Sequence, residues 1–272
     1  MKKISAAMVL LLACWGVLSM KKPAMPPDEF CGIRNYTFSN GEQINYTVFY
    51  NLAGVFVNAG AVSFTTKLEQ LNGRPVYHVV GDGRTHNSYD WIYKVRDRYE
   101  TFIDTATMQP LKFIRNVNEG GDKIFETIAF NKATNTAVTN KGSYKVPACV
   151  QDVLSAIYYA RNIDYARYKK GDRIPFSMFL DNELHNLYVR YLGTEEIKTR
   201  YGTFNSIKFS PLLIKGTIFE GGEKMTVWVS NDANRVPVRI ESPIIVGSVK
   251  VDMMGYKGLR YPMGALKKLR KD

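Results

Sequence analysis

Between Gln43 and Met254 the chain breaks into about fifteen short runs of alternating apolar and polar residues, most of them bounded by Gly, Asn, Asp or Pro. A period of two sends successive side chains to opposite faces of an extended backbone. Such runs satisfy their main-chain groups only by pairing with one another. The pattern selects an antiparallel β architecture. Gln43 to Tyr50 sets Ile44, Tyr46, Val48 and Tyr50 against Asn45 and Thr47. Ala59 to Leu68 and Pro75 to Val80 follow, joined through Asn72-Gly73, a dipeptide that favours the two-residue hairpin turn. Lys94 to Asp104, Leu111 to Val117, Lys123 to Phe130 and Asn135 to Thr139 continue the ladder. In the second half the runs are Arg173 to Leu180, Glu183 to Leu192, Glu195 to Arg200, Thr203 to Ser210, Lys215 to Phe219, Glu223 to Ser230, Val236 to Ser242 and Ser248 to Met254.

One segment departs from this period. Val150, Val153, Leu154, Ile157 and Tyr158 recur at helical spacing after Pro147, with Asp152 placed as an acid at the helix N-terminus. A lone amphipathic helix over residues 150–162 must lay its apolar stripe on something, and the open face of the sheet is the available surface. The expected fold is therefore all-β and mainly antiparallel, a curved sheet or unclosed half-barrel with one central covering helix. A recurrent turn supports a two-part sheet: Asp104 leads to Pro110, and Asp232 leads to Pro237. In each, the Asp is expected to bond back to nearby amides and the Pro to start the return strand.

Of 272 residues, 45% are hydrophobic and 23% charged, enough apolar material for a packed core and too little for several membrane spans. The division expected is a signal peptide over residues 1–19, a leader over 20–37 that begins as a Pro-rich loose arm, a single β domain over 38–258 and a basic, frayed tail over 259–272. Lys2 and Lys3 precede an apolar run, and cleavage after Ser19 competes with a lipobox-like Leu11-Leu12-Ala13-Cys14 that would lipidate Cys14. Either route exports the chain to the periplasm or the outer membrane. There the formal charge of +12, reduced to +10 once Lys2 and Lys3 are cleaved off, meets anionic headgroups and glycans rather than nucleic acid. Export also permits Cys31 and Cys149 to form a disulfide, which is expected because Cys31 would otherwise sit on an untethered leader. Closing so long a loop contributes up to about 4–5 kcal/mol.

Several stretches resemble the domain-of-unknown-function family 3108 of bacterial exported proteins: residues 41–46 (Gly-Glu-Gln-Ile-Asn-Tyr), Ala59-Gly60, residues 95–98 (Val-Arg-Asp-Arg), residues 150–161 around Gln151-Asp152-Val153-Leu154-Ser155, residues 202–204, and Trp228 through Asp232 to Pro237. The resemblance implies compartment and class and brings no activity. The element order also looks like that of the Lol-type lipoprotein carriers, an unclosed half-barrel covered by helix.

Chemistry-bearing motifs are sparse. His78, His86 and His185 form no metal-ligand spacing, and no nucleophile elbow or phosphate-cradling loop is present, so no metal, cofactor or catalytic residue is assigned. Asp97 is expected to pair with Arg96 and Arg98. The aromatic supply suggests a hydrophobic or amphipathic ligand, a lipid or lipoprotein, held between sheet and helix by Tyr46, Phe49, Tyr50, Tyr93, Phe102, Leu154, Ile157, Tyr158 and Trp228. A polar loop carrying Arg84, His86, Asp90 and Trp91 is a candidate rim. The expected function is non-enzymatic ligand binding, with two alternatives: an envelope scaffold contacting another protein or a glycan, with peripheral membrane contact, and a cell-wall hydrolase using His86 and Asp90. Asp104-Thr105-Ala106 also matches an O-glycosylation acceptor triplet.

Overall fold

A computed structural model of the protein describes residues 31–52, 54–214, 221–244 and 246–270. The signal segment, Cys14, most of the leader and the expected strand Lys215 to Phe219 lie outside the described residues. Fifteen strands are present among them. The first half contains β1 (Gln43–Leu52), β2 (Val55–Leu71), β3 (Arg74–Thr85), β4 (Arg96–Asp104), β5 (Pro110–Glu119), β6 (Asp122–Asn131), β7 (Thr136–Thr139) and β8 (Gly142–Lys145). After the helix α1 (Val153–Ala160) come β9 (Arg173–Leu180), β10 (Glu183–Lys198), β11 (Gly202–Pro211), β12 (Thr226–Ser230), β13 (Pro237–Pro243), β14 (Ser248–Lys257) and β15 (Leu266–Leu269).

The strands form one antiparallel sheet in the order β8-β7-β6-β5-β4-β3-β2-β1-β14-β13-β12-β11-β10-β9, with β15 added on β11. Each half is a meander, and the halves join where β1 pairs with β14. The sheet is not closed; β8 and β9 are its ends. Asn72 (φ 50°) and Gly73 (φ 76°) both take the left-handed conformation that the two-residue hairpin requires. The two Asp turns form as expected. Asp104 Oδ1 accepts from the Ala106 and Thr107 amides, Asp232 Oδ1 from the Asn234 and Arg235 amides, and β5 and β13 begin at Pro110 and Pro237.

Three local expectations are corrected. Glu183 to Arg200 is not two strands but the single β10, bent at a bulge between Tyr191 and Gly193 where Gly193 has φ 98°. The basic tail is not frayed: Leu266–Leu269 pairs with β11, because Asn234 and Asp232 hold the preceding segment through the Tyr261, Pro262 and Ala265 backbone. The described end of the leader is not loose either. Cys31 is disulfide-bonded to Cys149, the Ile33 amide donates to Tyr159 Oη, the Tyr36 amide donates to Asn162, and Phe38 is wholly buried.

Helix α1 is shorter than its sequence pattern. A capping box starts it: Asp152 accepts the Ser155 amide at 2.8 Å, and the Ser155 hydroxyl accepts the Asp152 amide at 2.8 Å. Leu154, Tyr158 and Tyr159 sink into a core shared with Val79, Ile103, Ile174, Ile207 and Val229 from both halves of the sheet. Arg161 ends the helix inside the protein. Its guanidinium donates to both Glu42 oxygens, at 2.6 and 2.8 Å, and to the Asn234 carbonyl. Burial works against the charge on Arg161, but the fully buried Glu42 carboxylate beside it outweighs that effect and raises the guanidinium's pKa. Arg161→Met strands the Glu42 carboxylate in the core, and we expect it to lower unfolding stability by about 3–5 kcal/mol in urea titrations. The double variant Glu42→Gln, Arg161→Met should lose less than the sum of the two single changes.

Candidate functional site

The sheet carries an open concavity of about 930 Å³ across β14, β1, β2, β3, β4 and β5. Strand alternation decides which face it occupies. On β3, Tyr77 and Val79 pack into the helix-containing core, and a side chain at Gly81 would meet Phe64 and Leu154. On β4, Thr101 donates to Asp152 at 2.6 Å and Ile103 is fully buried. Asp82, Arg84, Arg96 and Arg98 therefore project from the other face, away from the helix.

Register turns these residues into a row. Asn45 lies opposite Ser63, Ser63 opposite Asp82, Asp82 opposite Arg98, and Arg98 opposite Asn116. Five directly opposed polar residues on adjacent strands span about 19 Å at the usual strand spacing. A parallel row runs from Thr47 through Ala61 and Arg84 to Arg96, and Gln43 and Asn118 add further polar groups to the lining. Arg98 is the centre. It donates to Asp82 at 2.9 Å and to Glu100 at 2.8 Å, which fixes the orientation of its guanidinium and favours its charge while about half of the side chain stays open to solvent. The groove thus offers amides, a hydroxyl, a guanidinium and a carboxylate in one line, donors and acceptors suited to pairs of hydroxyl groups.

Asp97 was expected to pair with Arg96 and Arg98, and the structure places it elsewhere. Arg98 takes Asp82 and Glu100, and Arg96 takes Asp90 at 2.6 Å. Asp97 points to the core-side face, where it accepts the Asn118 amide and meets Glu119. Burial, then the hydrogen bond and charge of Glu119, push its carboxyl up to about 7. Asp97 therefore holds a proton in the folded chain at pH values where the unfolded chain has released it. Folded-state proton binding in excess makes stability fall as pH rises from about 4 to about 7, and the penalty then stays constant. Asp97→Asn, which keeps an acceptor for the Asn118 amide, should leave the melting temperature unchanged near pH 4. At pH 8.5 it should raise stability by about 1 kcal/mol, a few degrees in a thermal melt.

The residues proposed to line a space between helix and sheet do not come together around one. Leu154 and Tyr158 are buried core, and Tyr158 bonds Thr66. Tyr46 and Trp228 belong to a second cluster with Ile44, Phe204 and Met253, and Tyr46 alone of the nine also borders the groove. Phe49 lies under the Arg200 guanidinium. Phe102 stacks on His78 at 4.2 Å on the face away from the helix. Tyr50 donates to the Val246 carbonyl, Tyr93 packs on Gly120, and Ile157 faces outward from α1. The aromatics were read from the sequence as lining, whereas two meandering half-sheets with a helix between them consume most of them as filling.

In the polar loop, Arg84 and Trp91 are exposed, whereas His86 and Asp90 turn to different partners. His86 bonds Asn58 at 2.9 Å, and Asp90 accepts from Thr85 and Arg96, which hold its carboxyl below the usual range. The imidazole and the carboxyl are thus engaged separately rather than with each other. His78 lies between Glu69 and Glu100. In the glycosylation triplet the Thr105 hydroxyl donates to the Pro75 carbonyl. Sequence reasoning missed Gln43, Asn45, Thr47, Ser63, Asp82, Arg98, Asn116 and Asn118 as one group. The signal available was polar residues at alternate positions of five strands, but which of them align is a matter of register.

The chain matches one family model and is similar to several solved structures. The model of the family described as a protein of unknown function, DUF3108, matches residues 45–254. A β-barrel-like protein of the domain of unknown function DUF1849 from Brucella abortus superposes with a TM-score of 0.55 at 8% identity, covering 83% of this chain and 99% of that one. A proposed lipoprotein from Parabacteroides distasonis gives 0.37 at 16% identity (82% and 100% covered). A proposed exported protein with a YmcC-like fold from Bacteroides fragilis gives 0.33 at 12% identity (83% and 100% covered). No curated protein matches.

Proposed function

This chain belongs to the DUF3108 family of proteins of unknown function, and from that premise we propose that it is a non-enzymatic, exported envelope protein that binds a glycan along the polar row of β1 to β5. The observation that carries the reading is the register line Asn45, Ser63, Asp82, Arg98 and Asn116, open to solvent and about 19 Å long. Extended polysaccharides present hydroxyl pairs at regular intervals, and a line of side-chain amides and a carboxylate-braced guanidinium answers them without an apolar pocket. The N-terminal pattern of Lys2, Lys3 and the following apolar run supports export, and with it an envelope glycan as the ligand.

The second reading is an amphipathic ligand between sheet and helix, in the manner of Lol-type carriers. It asks α1 to withdraw Leu154, Tyr158 and Tyr159 from contacts in which each is at most 3% exposed. We rank it below the groove for that reason.

Calorimetric titration of the mature chain with solubilised peptidoglycan fragments and with lipopolysaccharide-derived polysaccharide tests the proposal. Binding should be lost or weakened at least about tenfold, or about 1.4 kcal/mol, in Asn45→Ala, Arg98→Ala. Both side chains are solvent-accessible, so the variant should retain its melting temperature within a few degrees. Absence of binding to either glycan class, or equal binding by the variant, would overturn the assignment.

A further inference from the structure

Beyond the groove, one end of the sheet gathers exposed apolar side chains that nothing in the fold accounts for. The β13–β14, β1–β2 and β3–β4 connections all turn at this end, and the strand order makes them neighbours. Asn51 of β1 lies opposite Ser248 of β14, and Tyr50 donates to the Val246 carbonyl. On the other side, the His86 amide donates to the Ala59 carbonyl and its ring bonds Asn58, so the β3–β4 loop lies against the start of β2. At the tips stand Val55 (65% exposed), Phe56, Trp91 (82%), Ile92 and Val246 (60%).

These residues protrude from three separate turns. Phe56 borders a concavity with Asn51 and Lys250, and the strands that carry the tips lie inside the sheet, so they offer no free edge to a neighbouring strand. Two unpaired basic groups stand near them: Arg84 and Lys94 are exposed with no acidic partner within 4.0 Å among the described residues, whereas Lys250, 4.9 Å over the Phe56 ring, is paired with Glu241 at 3.0 Å. In the same loop the acid Asp90 is already neutralised by Arg96. The acids Glu119 and Asp122 of the β5–β6 turn also reach this end beside Tyr93, so the match to the apolar boundary and anionic headgroups of a lipid surface rests on the protruding apolar tips, the exposed Trp91 and the two unpaired cations Arg84 and Lys94.

We propose that this end of the protein docks on a membrane, inserting the side chains of Val55, Trp91, Ile92 and Val246 among the acyl chains of an anionic leaflet. The docking is independent of the glycan reading. It also places the row Thr47, Ala61, Arg84 and Arg96, the edge of the groove nearest these turns, at headgroup level.

The chain supplies its own probe. In the mature form Trp91 and Trp228 remain, and Trp228 is buried, so a surface-dependent change in emission reports Trp91. Unlipidated mature chain, starting after Ser19, would be mixed with vesicles of phosphatidylglycerol and phosphatidylcholine and with vesicles of phosphatidylcholine alone. Co-flotation with the anionic vesicles is expected, with a blue shift of Trp91 and quenching by brominated acyl chains. Val55→Asp, Val246→Asp should weaken partitioning by at least about tenfold at an unchanged melting temperature, since both residues are exposed. Failure to float with anionic vesicles, or equal flotation of the variant, would overturn the proposal. Concentration-dependent dimerisation in the absence of vesicles, abolished by the same variant, would overturn it too and assign the tips to a second copy of the chain. The glycan titration reads different residues, so either result can fail without the other.

Discussion

The Glu42–Arg161 pair is the constraint around which the rest of the molecule is arranged. It ties the end of α1, which has no ladder to the sheet, to two separate parts of it: the residue before β1, and the turn between β12 and β13 through the Asn234 carbonyl. Burying two charges is costly, and only the bidentate geometry together with the extra carbonyl acceptor compensates. What the arrangement supplies is specificity of placement. A helix of eight residues has too little intrinsic stability to hold itself anywhere, and here it is capped by Asp152 at one end and clamped by Arg161 at the other. Asp152 in turn accepts from Thr101 of β4, so both ends of the helix are fixed to different parts of the sheet.

The same logic holds the open seam. The sheet ends at β8 and β9 without a ladder between them, and three kinds of contact bring the ends together. Gln151 makes a parallel bridge to Met178 of β9, Arg115 reaches Asp181 and Thr139 reaches Asn182 at the β9–β10 turn, and Phe113, Ile128, Phe130 and Val150 pack with Phe179. The Cys31–Cys149 disulfide lies two residues before Gln151 and fastens the chain entering the helix to the segment preceding β1. An unclosed barrel is thus stabilised by side chains and one covalent link where a closed one would use backbone hydrogen bonds.

Parts of three stretches that carried the family resemblance, Glu42 of residues 41–46, Arg161, and the turn through Asp232, converge on this buried cluster, while Asn45 of the first stretch and Arg98 of residues 95–98 stand in the polar row. The strand periodicity was legible because each strand has one buried face, and the hairpin at Asn72-Gly73 because only residues tolerant of positive φ fit it. The short β8 and β15 were not legible: four residues each give too few alternations, and β15 owes its position to Asn234 and Asp232 rather than to its own Leu-Lys-Lys-Leu pattern. The aromatic lining failed for a related reason. Composition counts aromatic residues without saying whether a second sheet face comes to fill the space they border.

The amino-acid sequence by itself determined that the chain folds as antiparallel strands around one helix, that Asp104 and Asp232 make the long turns, and that a disulfide is available to Cys31. The fold and turns are local matters, decided by side-chain period and by Asx and Pro backbone preferences, and the pair of cysteines outside the N-terminal apolar run is itself visible in the sequence. Tertiary structure alone decided that the helix is packed solid against both halves of the sheet, that Asp97 meets Glu119 instead of the arginines beside it, and that Asn45, Ser63, Asp82, Arg98 and Asn116 stand in a row. The physical reason is register: a shift of one residue in any strand would exchange its faces and dissolve the row. Register is set by the sum of core contacts and turn geometries across six strands, and no single segment encodes that sum.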